Sequence, residues 1–295
     1  MKQKIGMVGI GLMGHGIARN LAKHGYPLAV LEHAGNQPLD ELKAAGVTTV
    51  ATGAALAAGV DVIILCVTGS PEVEAVLTGQ GGVLQGLRAG AVVIDCSTAV
   101  PSSTERMAHA VRAAGGRFVD APMTRTAKEA HEGKLNLLVG AEPDLFDEIR
   151  PVLACFAENI TLAGPVGAGH RMKLLHNSVS LGFIALLAEA AACAQRAGIA
   201  PEVLVDVLRK GGGGGVALER LKPYLLARDT SGLKFAMGNA QKDMGYYTQM
   251  ARDTLAVHAI ADAVHATYAA AVAQAGPQTM VPELVTLLAQ RVPKL

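Results

Sequence analysis

The stretch Ile5-Gly6-Met7-Val8-Gly9-Ile10-Gly11-Leu12-Met13-Gly14 decides the fold of this chain. A short apolar run ends at Val8, three glycines then form the pattern G-x-G-x-x-G, and a helical pattern follows from Met13 to Lys23. Strand, glycine turn and helix in this order are typical of the first unit of a nucleotide-binding α/β domain, in which a pyrophosphate approaches the glycine backbone. We therefore predict that a dinucleotide binds to Gly9, Ile10, Gly11, Leu12, Met13 and Gly14.

An acidic residue follows the second apolar run, Pro27–Leu31. Glu32 comes roughly 20 residues after the glycine pattern, which is the spacing at which a carboxylate accepts hydrogen bonds from the adenosine ribose. We predict that Glu32 and its neighbour His33 border this site. A carboxylate repels a 2′-phosphate, and no arginine follows in residues 32–36. The sequence therefore favours NAD over NADP.

Continuous apolar runs alternate with helical patterns through the first half of the chain. Such runs, with helices between them, are typical of strands buried on both faces of a parallel sheet. The further predicted strands are Val62–Cys66, Ala91–Ile94, Phe118–Val119 and Leu137–Val139, and Pro38–Ala45 is predicted as a helix. Because ligands bind beyond the carboxyl ends of such strands, we expect Val67, Thr68 and Thr98 to flank the nicotinamide and its ribose.

The second half of the chain is rich in Ala and Leu at helical spacing. The predicted helices are Val166–Arg196, 201–210, 216–228, 233–251, 254–275 and 282–290. The first of these is nearly apolar all round, so we expect it to be buried between layers. We predict an α/β fold with a doubly wound parallel Rossmann sheet followed by an all-α domain. The NAD-binding domain covers residues 1–164, and a helical substrate and dimerisation domain, beginning with a long interdomain helix, covers 165–295.

Composition excludes several classes of protein. The net charge is +1 and aromatic residues are 3% of the chain, which disfavours a nucleic-acid partner. The four cysteines form no C-x-x-C pair, which favours reduced thiols and a cytoplasmic location. Glycines interrupt the apolar N-terminus and Glu189 interrupts the longest apolar stretch, so we predict neither a signal peptide nor a membrane helix.

Four polar residues form a stripe on the long apolar helix. Lys173, His176, Asn177 and Ser180 recur at helical spacing, so they share one face. Hydride transfer at an alcohol carbon also requires proton transfer at its oxygen, and a partly buried lysine can supply it. We predict that Lys173 is the general acid/base and that the other three residues bind substrate, with a structural role for His176 left open.

These motifs together resemble the β-hydroxyacid dehydrogenases, the 3-hydroxyisobutyrate dehydrogenase-like family. The resemblance covers nearly the whole chain and includes the glycine pattern, Ile94–Thr98, Asp120-Ala121-Pro122, Gly164–Gly169 with Lys173 and Asn177, and Lys242-Asp243-Met244. It implies a 6-phosphogluconate dehydrogenase-like fold, an NAD(P)-dependent dehydrogenase, a homodimer or homotetramer, and a cofactor contact from Lys242.

The sequence departs from the family in its substrate loop. Where the family commonly has Ser-Gly-Gly, this chain has Thr124-Arg125-Thr126, and His176 replaces a common asparagine. The Arg-Thr pair resembles the sulfolactaldehyde reductase branch, in which the arginine grips a sulfonate and a serine matching Ser180 assists. A guanidinium also suits carboxylates. We predict a small anionic hydroxy acid or aldehyde acid as substrate; the alternative for Arg125 is an outward pairing with Glu129 or Glu132.

Three other interpretations of the sequence stay open. The chain could sense NAD without turnover, although a sensor needs neither Lys173 nor Asn177. An imine reductase shares the domain plan but usually lacks the lysine. His258, Asp262 and His265 share a helix face, but their spacing does not favour a metal site, and we predict none. The Gly211–Gly215 run is predicted as a flexible loop between helices or a mobile loop beside the substrate.

Overall fold

The computed structural model describes residues 2–290 of the chain. Within these residues one sheet has the strand order β3-β2-β1-β4-β5-β6-β8-β7, and β9 pairs with β8. The strands are β1 (Ile5–Val8), β2 (Leu28–Leu31), β3 (Thr48–Val50), β4 (Val62–Leu65), β5 (Val92–Asp95), β6 (Arg117–Asp120), β7 (Met123–Thr124), β8 (Leu135–Gly140) and β9 (Ala157–Gly164).

Helices alternate with the strands in the first part of the chain, and in its second part the described residues form helices joined by turns and no named strand. They are α1 (Leu12–Lys23), α2 (Asp40–Ala44), α3 (Gly53–Ala58), α4 (Ser70–Thr78), α5 (Pro101–Ala113), α6 (Ala127–Glu132), α7 (Pro143–Leu153), α8 (Ala168–Arg196), α9 (Pro201–Lys210), α10 (Val216–Ala227), α11 (Met237–Asp253), α12 (Ala259–Ala275) and α13 (Leu284–Gln290). The predicted fold class, a parallel-dominated sheet followed by an all-helical part, is confirmed.

The apolar runs form the central strands because both of their faces are buried. In β4, Val62 and Ile64 pack into the core on one face of the sheet, while Ile63 and Leu65 pack into the core on the other. Parallel strands covered by helices on both sides require such continuous apolar sequence. The runs that set the sheet could therefore be located from the sequence.

Three strands were not predicted, and part of the sheet is antiparallel. Strand β8 runs antiparallel to β6 and β7, and parallel to β9. Strands β3 and β7 have three and two residues, too few for a pattern. Strand β9 lies at the edge, and most of its residues are partly or fully exposed, so it lacks a continuous apolar run. The sheet is therefore parallel-dominated, with an antiparallel part on this side.

The long helix α8 is less buried than predicted. Four of its large apolar side chains, Met172, Leu175, Val179 and Leu186, are 42–75% exposed. The expectation of a helix buried all round is therefore wrong for the single chain. By length and mean hydropathy (1.5) α8 would suffice to cross a membrane, and half of that apolar window is buried within the protein; a single such helix is weak evidence for a membrane span.

The chain forms two compact units that divide inside α8, between Lys173 and Leu174. The predicted domain boundary at 164/165 lies just before this helix. The second unit has its own core, centred on the fully buried Tyr268, whose hydroxyl donates to the Leu181 carbonyl at 2.9 Å. Residues 211–215 form the turn between α9 and α10, as the glycine run predicted.

Candidate active site

The glycine turn between β1 and α1 leaves room for a ligand at one position. Gly9 has φ +89°, and a methyl group on Gly9 or Gly14 would overlap neighbouring backbone. These two glycines are therefore required by the fold itself. At Gly11, no atom of the described residues lies within 4 Å of the place that a Cβ would occupy. Packing of the chain does not explain a glycine there, whereas a phosphate resting on the N-terminus of α1 does.

A shallow cleft of about 380 Å³, wide open to solvent, lies beside this turn at the place predicted for the adenosine. It is lined by Glu32, His33, Ala34, Asn36 and Leu39. The exposed Glu32 directly follows β2, while the His33 Nδ1 accepts a hydrogen bond from the Gly35 N–H at 3.0 Å. The described residues therefore fit a dinucleotide at the predicted place.

Asn36 joins the glycine turn to the end of β2, and sequence analysis missed it. Its amide donates to the Leu31 carbonyl at 3.0 Å and its Oδ1 accepts from the Ile10 N–H at 3.2 Å. A second link runs from the Gln37 N–H to the Ile10 carbonyl at 2.7 Å. The signal available was an asparagine in a turn after a strand, where such side chains commonly bond to backbone.

The ends of β4 and β5 bring two predicted cofactor residues to one edge of the sheet. The Val67 N–H donates to Ser97 Oγ at 3.0 Å, and the Ser97 N–H donates to Asp95 Oδ1 at 2.9 Å. Thr98, the next residue, is partly buried, and Thr68 follows Val67. Val67 is thus bonded to the residue that precedes Thr98, and both segments lie at the carboxyl ends of parallel strands, where ligands of this fold class bind.

A buried carboxylate at the end of β6 caps the start of α8. The Gly167 N–H donates to Asp120 Oδ1 at 2.6 Å, and the His170 N–H donates to Asp120 Oδ2 at 2.8 Å. A helix N-terminus leaves backbone N–H groups without partners, and a carboxylate stabilises them by hydrogen bonding and by charge. The first turn of α8 is therefore fixed to the sheet.

The motif Gly167-Ala168-Gly169 permits this approach. Gly167 has φ +92°, a left-handed conformation that favours glycine. A methyl group on Gly169 would overlap the Leu138 carbonyl and lie 2.8 Å from Asp120 Oδ2. The helix backbone packs directly on the sheet here, so the motif is required by packing.

His170 is a further buried anchor that sequence analysis did not single out. Its ring is fully buried, with Nδ1 2.8 Å from Thr104 Oγ1 and Nε2 3.1 Å from the Ser97 carbonyl. Because a carbonyl only accepts hydrogen bonds, Nε2 carries a proton. The residue thus connects α8 to the end of β5 and to α5. Its sequence signal was weak, since a lone histidine has no characteristic spacing.

Two fully buried carboxylates flank the His170 ring. Asp95 Oδ2 lies 3.9 Å from Nε2, and Asp120 Oδ2 lies 3.8 Å from Nδ1. Burial raises the pKa of Asp95, while the His170 charge and the Ser97 hydrogen bonds oppose that rise. Asp95 Oδ2 makes no hydrogen bond among the described residues, so its contact with His170 is electrostatic at most. Asp95 also contributes, after burial, to raising the pKa of the Cys66 thiol to about 12.

Lys173 lies one turn along α8 from this anchored start. Its Nζ donates to the Met123 carbonyl at 2.7 Å, and the side chain is partly buried. Met123 is the residue before Thr124 in the predicted substrate loop. The ammonium group therefore lies against the backbone of that loop.

The three predicted loop residues have different surroundings. Thr124 is 8% exposed, and its hydroxyl accepts from the Asn136 amide at 3.1 Å. Thr126 caps α6, forming a reciprocal capping box with Glu129, whose Oε2 accepts from the Thr126 hydroxyl at 2.6 Å. The Thr126 hydroxyl therefore has a local structural role beside the predicted substrate role.

Arg125 has an ion-pair partner that the sequence did not indicate. Its Nη1 lies 2.5 Å from Glu158 Oε2 on β9 and 2.5 Å from the Lys134 carbonyl. The predicted partners, Glu129 or Glu132, are wrong, because Glu129 accepts from the Thr126 N–H and Glu132 lies 3.4 Å from Lys134 Nζ. Arg125 also has φ +79°, a left-handed backbone conformation that favours glycine.

In the second unit, Asp243 on α11 connects three predicted residues, which are His176 and Asn177 on α8 and Lys242 on α11. The Asn177 amide donates to Asp243 Oδ2 at 2.7 Å, and Asn177 Oδ1 lies 3.0 Å from His176 Nδ1. Lys242 Nζ lies 3.3 Å from Asp243 Oδ1 and 5.5 Å from the centre of the Tyr246 ring. Because the Asn177 amide nitrogen donates to Asp243, the atom that faces His176 is the Asn177 oxygen, which only accepts. The His176 Nδ1 must therefore carry the proton.

Ser180 lies further along α8 and is partly buried. Asp243, at 3% exposure, is the member of this cluster that sequence analysis quoted in a motif without giving it a role. A separate pair lies at the start of α12, where His258 precedes the helix: Asp262 lies 2.7 Å from His258 Nδ1 and accepts from Arg252 at 3.1 Å.

Two sequence families together match most of the chain. Residues 4–164 match the NAD-binding domain of 6-phosphogluconate dehydrogenase. Residues 167–288 match the NAD-binding region of NADP-dependent 3-hydroxyisobutyrate dehydrogenase.

Individual relatives agree with these matches. The chain is 34% identical over 250 residues to 2-(hydroxymethyl)glutarate dehydrogenase of Eubacterium barkeri, covering 82% of this chain and 80% of the relative. It is 33% identical over 224 residues to the NAD-dependent L-serine dehydrogenase of Pseudomonas aeruginosa, covering 76% and 74%. The solved structure of Mycobacterium tuberculosis 3-hydroxyisobutyrate dehydrogenase with L-serine has the same fold, with TM-score 0.87 and 24% identity, covering 98% of this chain and 99% of that one.

The glycine turn, the adjoining cleft and the lysine anchored against a loop are thus found in a chain that matches these families along most of its length. The chain belongs to the 3-hydroxyisobutyrate dehydrogenase-like family of β-hydroxyacid dehydrogenases and is an NAD(P)-dependent oxidoreductase.

Proposed function

We propose that this enzyme transfers a hydride between nicotinamide and a small anionic β-hydroxy acid or aldehyde acid, with Lys173 as general acid/base. The contact of Lys173 Nζ with the Met123 carbonyl carries the proposal. It holds the ammonium two residues from Arg125, which is the cation of the same loop. A proton donor and an anion-binding group are thereby supported by one short segment.

The chemistry divides between the cofactor and the chain. The bound nicotinamide supplies or accepts the hydride at the carbon atom. In the reducing direction Lys173 donates a proton to the oxygen of that carbon; in the oxidising direction it removes the hydroxyl proton. The Asp120 cap and the His170 anchor hold the helix that carries Lys173, so its amino group keeps its place both as the ammonium that donates a proton and as the neutral amine that accepts one.

NAD is the proposed cofactor, with NADP less favoured. Glu32 is exposed and lines the cleft after β2, where the 2′-hydroxyl of the adenosine ribose would lie. A carboxylate accepts a hydrogen bond from that hydroxyl and repels a phosphate at the same atom. The L-serine dehydrogenase relative is described as NAD-dependent, in agreement with this preference.

The substrate is proposed to carry an anionic group that Arg125 recognises. Relatives act on L-serine and 2-(hydroxymethyl)glutarate, which each combine a hydroxyl with a carboxylate. Thr124, Thr126, His176, Asn177 and Ser180 are proposed to complete the substrate site. A sulfonate substrate, as in sulfolactaldehyde reduction, is a second candidate because a guanidinium fork matches a sulfonate as well as a carboxylate.

The enzyme is proposed to act as a cytoplasmic homodimer or homotetramer. The exposed apolar side chains Met172, Leu175, Val179 and Leu186 recur along α8 at helical spacing. Contiguous apolar surface of this kind is typical of an interface, and a second copy of the same chain offers a matching surface. The four cysteines are free thiols, as expected in a reducing compartment.

A direct test is hydride transfer followed by absorbance at the nicotinamide band. The panel contains 3-hydroxyisobutyrate, L-serine, 2-(hydroxymethyl)glutarate and 2,3-dihydroxypropane-1-sulfonate, each with NAD and with NADP, and the corresponding neutral alcohols as controls. We expect turnover of at least one anion and a higher kcat/KM with NAD. Tight NAD binding without turnover of any compound would instead favour a sensor.

A further inference from the structure

We infer that Glu158, on the edge strand β9, positions Arg125 so that one edge of its guanidinium group is presented to the substrate anion. The inference rests on the proposed function, since it concerns how the same site recognises an anion. It assigns a role in substrate specificity to a strand that sequence analysis did not detect.

The hydrogen bonds of Arg125 are all on one nitrogen. A guanidinium has five N–H groups, two of them on Nη1. Both acceptors of Arg125, Glu158 Oε2 and the Lys134 carbonyl, lie 2.5 Å from Nη1. Among residues 2–290, neither Nε nor Nη2 of Arg125 makes a hydrogen bond. Nε–H and one Nη2–H point the same way, and this is the pair that binds a carboxylate or sulfonate in bidentate fashion.

The backbone on both sides of Arg125 is also held. Before it, the Thr124 hydroxyl accepts from Asn136, whose Oδ1 accepts from the Asn159 amide at 2.8 Å. After it, Thr126 is fixed by its capping box with Glu129. Asn159 and Glu158 are consecutive residues of β9, so this strand supports the loop through a neutral contact and a charged one.

Glu158 acts by placing the guanidinium and does not touch substrate itself. With Nη1 anchored, fewer conformations of the long arginine side chain are lost when an anion binds. The pair is half-exposed, with 29% of the Arg125 side chain and 50% of the Glu158 side chain accessible. Exposed ion pairs contribute little to stability, so removal of Glu158 is expected to leave the protein folded.

The proposal is tested by calorimetric binding of matched alcohols to the NADH-loaded enzyme, in which no turnover occurs. The probes are 3-hydroxypropionate, 3-hydroxypropane-1-sulfonate and the neutral 1,3-propanediol. We expect Glu158→Ala to weaken binding of both anions by about fivefold to tenfold and to leave binding of the diol unchanged. Glu158→Gln, which keeps an acceptor for Nη1, is expected to retain most of the affinity.

Two controls isolate the role of Glu158. Glu148→Ala removes another partly exposed Arg–Glu pair, that with Arg117, and is expected to leave all three affinities unchanged. In an Arg125→Ala background, Glu158→Ala is expected to have no further effect. Tighter anion binding by Glu158→Ala would show that the carboxylate competes with substrate, and would overturn the inference. Unchanged affinity for the anions, or an equal loss of affinity for the diol, would overturn it as well. Calorimetry measures binding and not turnover. These outcomes therefore do not depend on whether the compounds of the hydride-transfer assay include the physiological substrate.

Discussion

The start of α8 and the loop at residues 123–126 lie against each other through Lys173, but they are held in different ways. The helix start is fixed by fully buried groups: the Asp120 carboxylate, the His170 ring and the backbone packing at Gly169. The loop is held by partly buried hydrogen bonds at Thr124 and Thr126 and by the half-exposed Arg125–Glu158 pair. At the start of α8 there is no room for a side chain on Gly169, whereas in the loop the Arg125–Glu158 pair is half-exposed to solvent.

This difference indicates which property each region controls. A group that exchanges a proton needs a constant position, and buried hydrogen bonds are costly to break. A group that selects among anions can change with few consequences for folding, because exposed charges contribute little stability. We therefore expect changes at α8 to affect turnover or folding, and changes in the loop to affect substrate choice.

Lys173→Ala is expected to have the largest effect. Without the ammonium, proton transfer at the substrate oxygen loses its donor, and turnover should fall about 100-fold or more while NAD binding stays nearly intact. Steady-state kinetics and cofactor titration measure the two quantities. Unchanged turnover would refute the role of Lys173 and with it the assignment of chemistry to α8.

Gly169→Ala is expected to destabilise the fold. The added methyl overlaps the Leu138 carbonyl, and overpacking of this kind costs about 1–3 kcal/mol. Gly182→Ala on the same helix is the matched control, because the nearest atom to its added methyl is Val264 Cγ2 at 3.9 Å. That control should stabilise the protein by about 0.5–1 kcal/mol through helix propensity. Equal effects of the two substitutions in urea unfolding would contradict close packing of α8 on the sheet.

Arg125→Ala is expected to change specificity with little change in stability. KM for anionic substrates should rise about tenfold, since a charge-assisted pair is lost, while kcat changes little. The alanine also occupies a backbone conformation with positive φ, as the arginine does. An equal increase in KM for neutral alcohols would mean that Arg125 is structural, and the contrast between the two regions would then disappear.

Asp95→Asn is expected to have the smallest effect, visible in the pH dependence of stability. Burial raises the pKa of Asp95 in the folded protein, so the folded state holds this proton more tightly than the unfolded chain. The free energy of unfolding therefore falls as pH rises from the unfolded pKa, about 4, to the higher folded pKa.

The variant lacks this titration. Its stability relative to the natural protein should increase as pH rises through that window, when urea unfolding is compared at about pH 4 and about pH 8. Parallel pH profiles for the two proteins would mean that Asp95 has the same proton affinity in both states, and that burial has no net effect at this group.

Much of the candidate site was predictable because it depends on local patterns. The glycine turn, the position of Glu32 after a strand and the stripe from Lys173 to Ser180 follow from spacings of a few residues. The anchors were not predictable in this way. His170 acts through Ser97 and Thr104, and Arg125 through Glu158 on β9, partners that are distant in sequence and follow no periodic pattern.

Local patterns are thus enough to predict the sheet, the long helix, the glycine turn and the position of Lys173 on that helix, because periodicity and glycine spacing act over short distances along the chain. The neighbours of each functional side chain depend on how the strands are ordered. The pairing of β8 with β9 brings Glu158 to Arg125, and the parallel pairing of β5 with β6 brings Asp95 and Asp120 to opposite sides of His170. Such contacts join residues far apart in the chain, so no short stretch of sequence contains the information that specifies them.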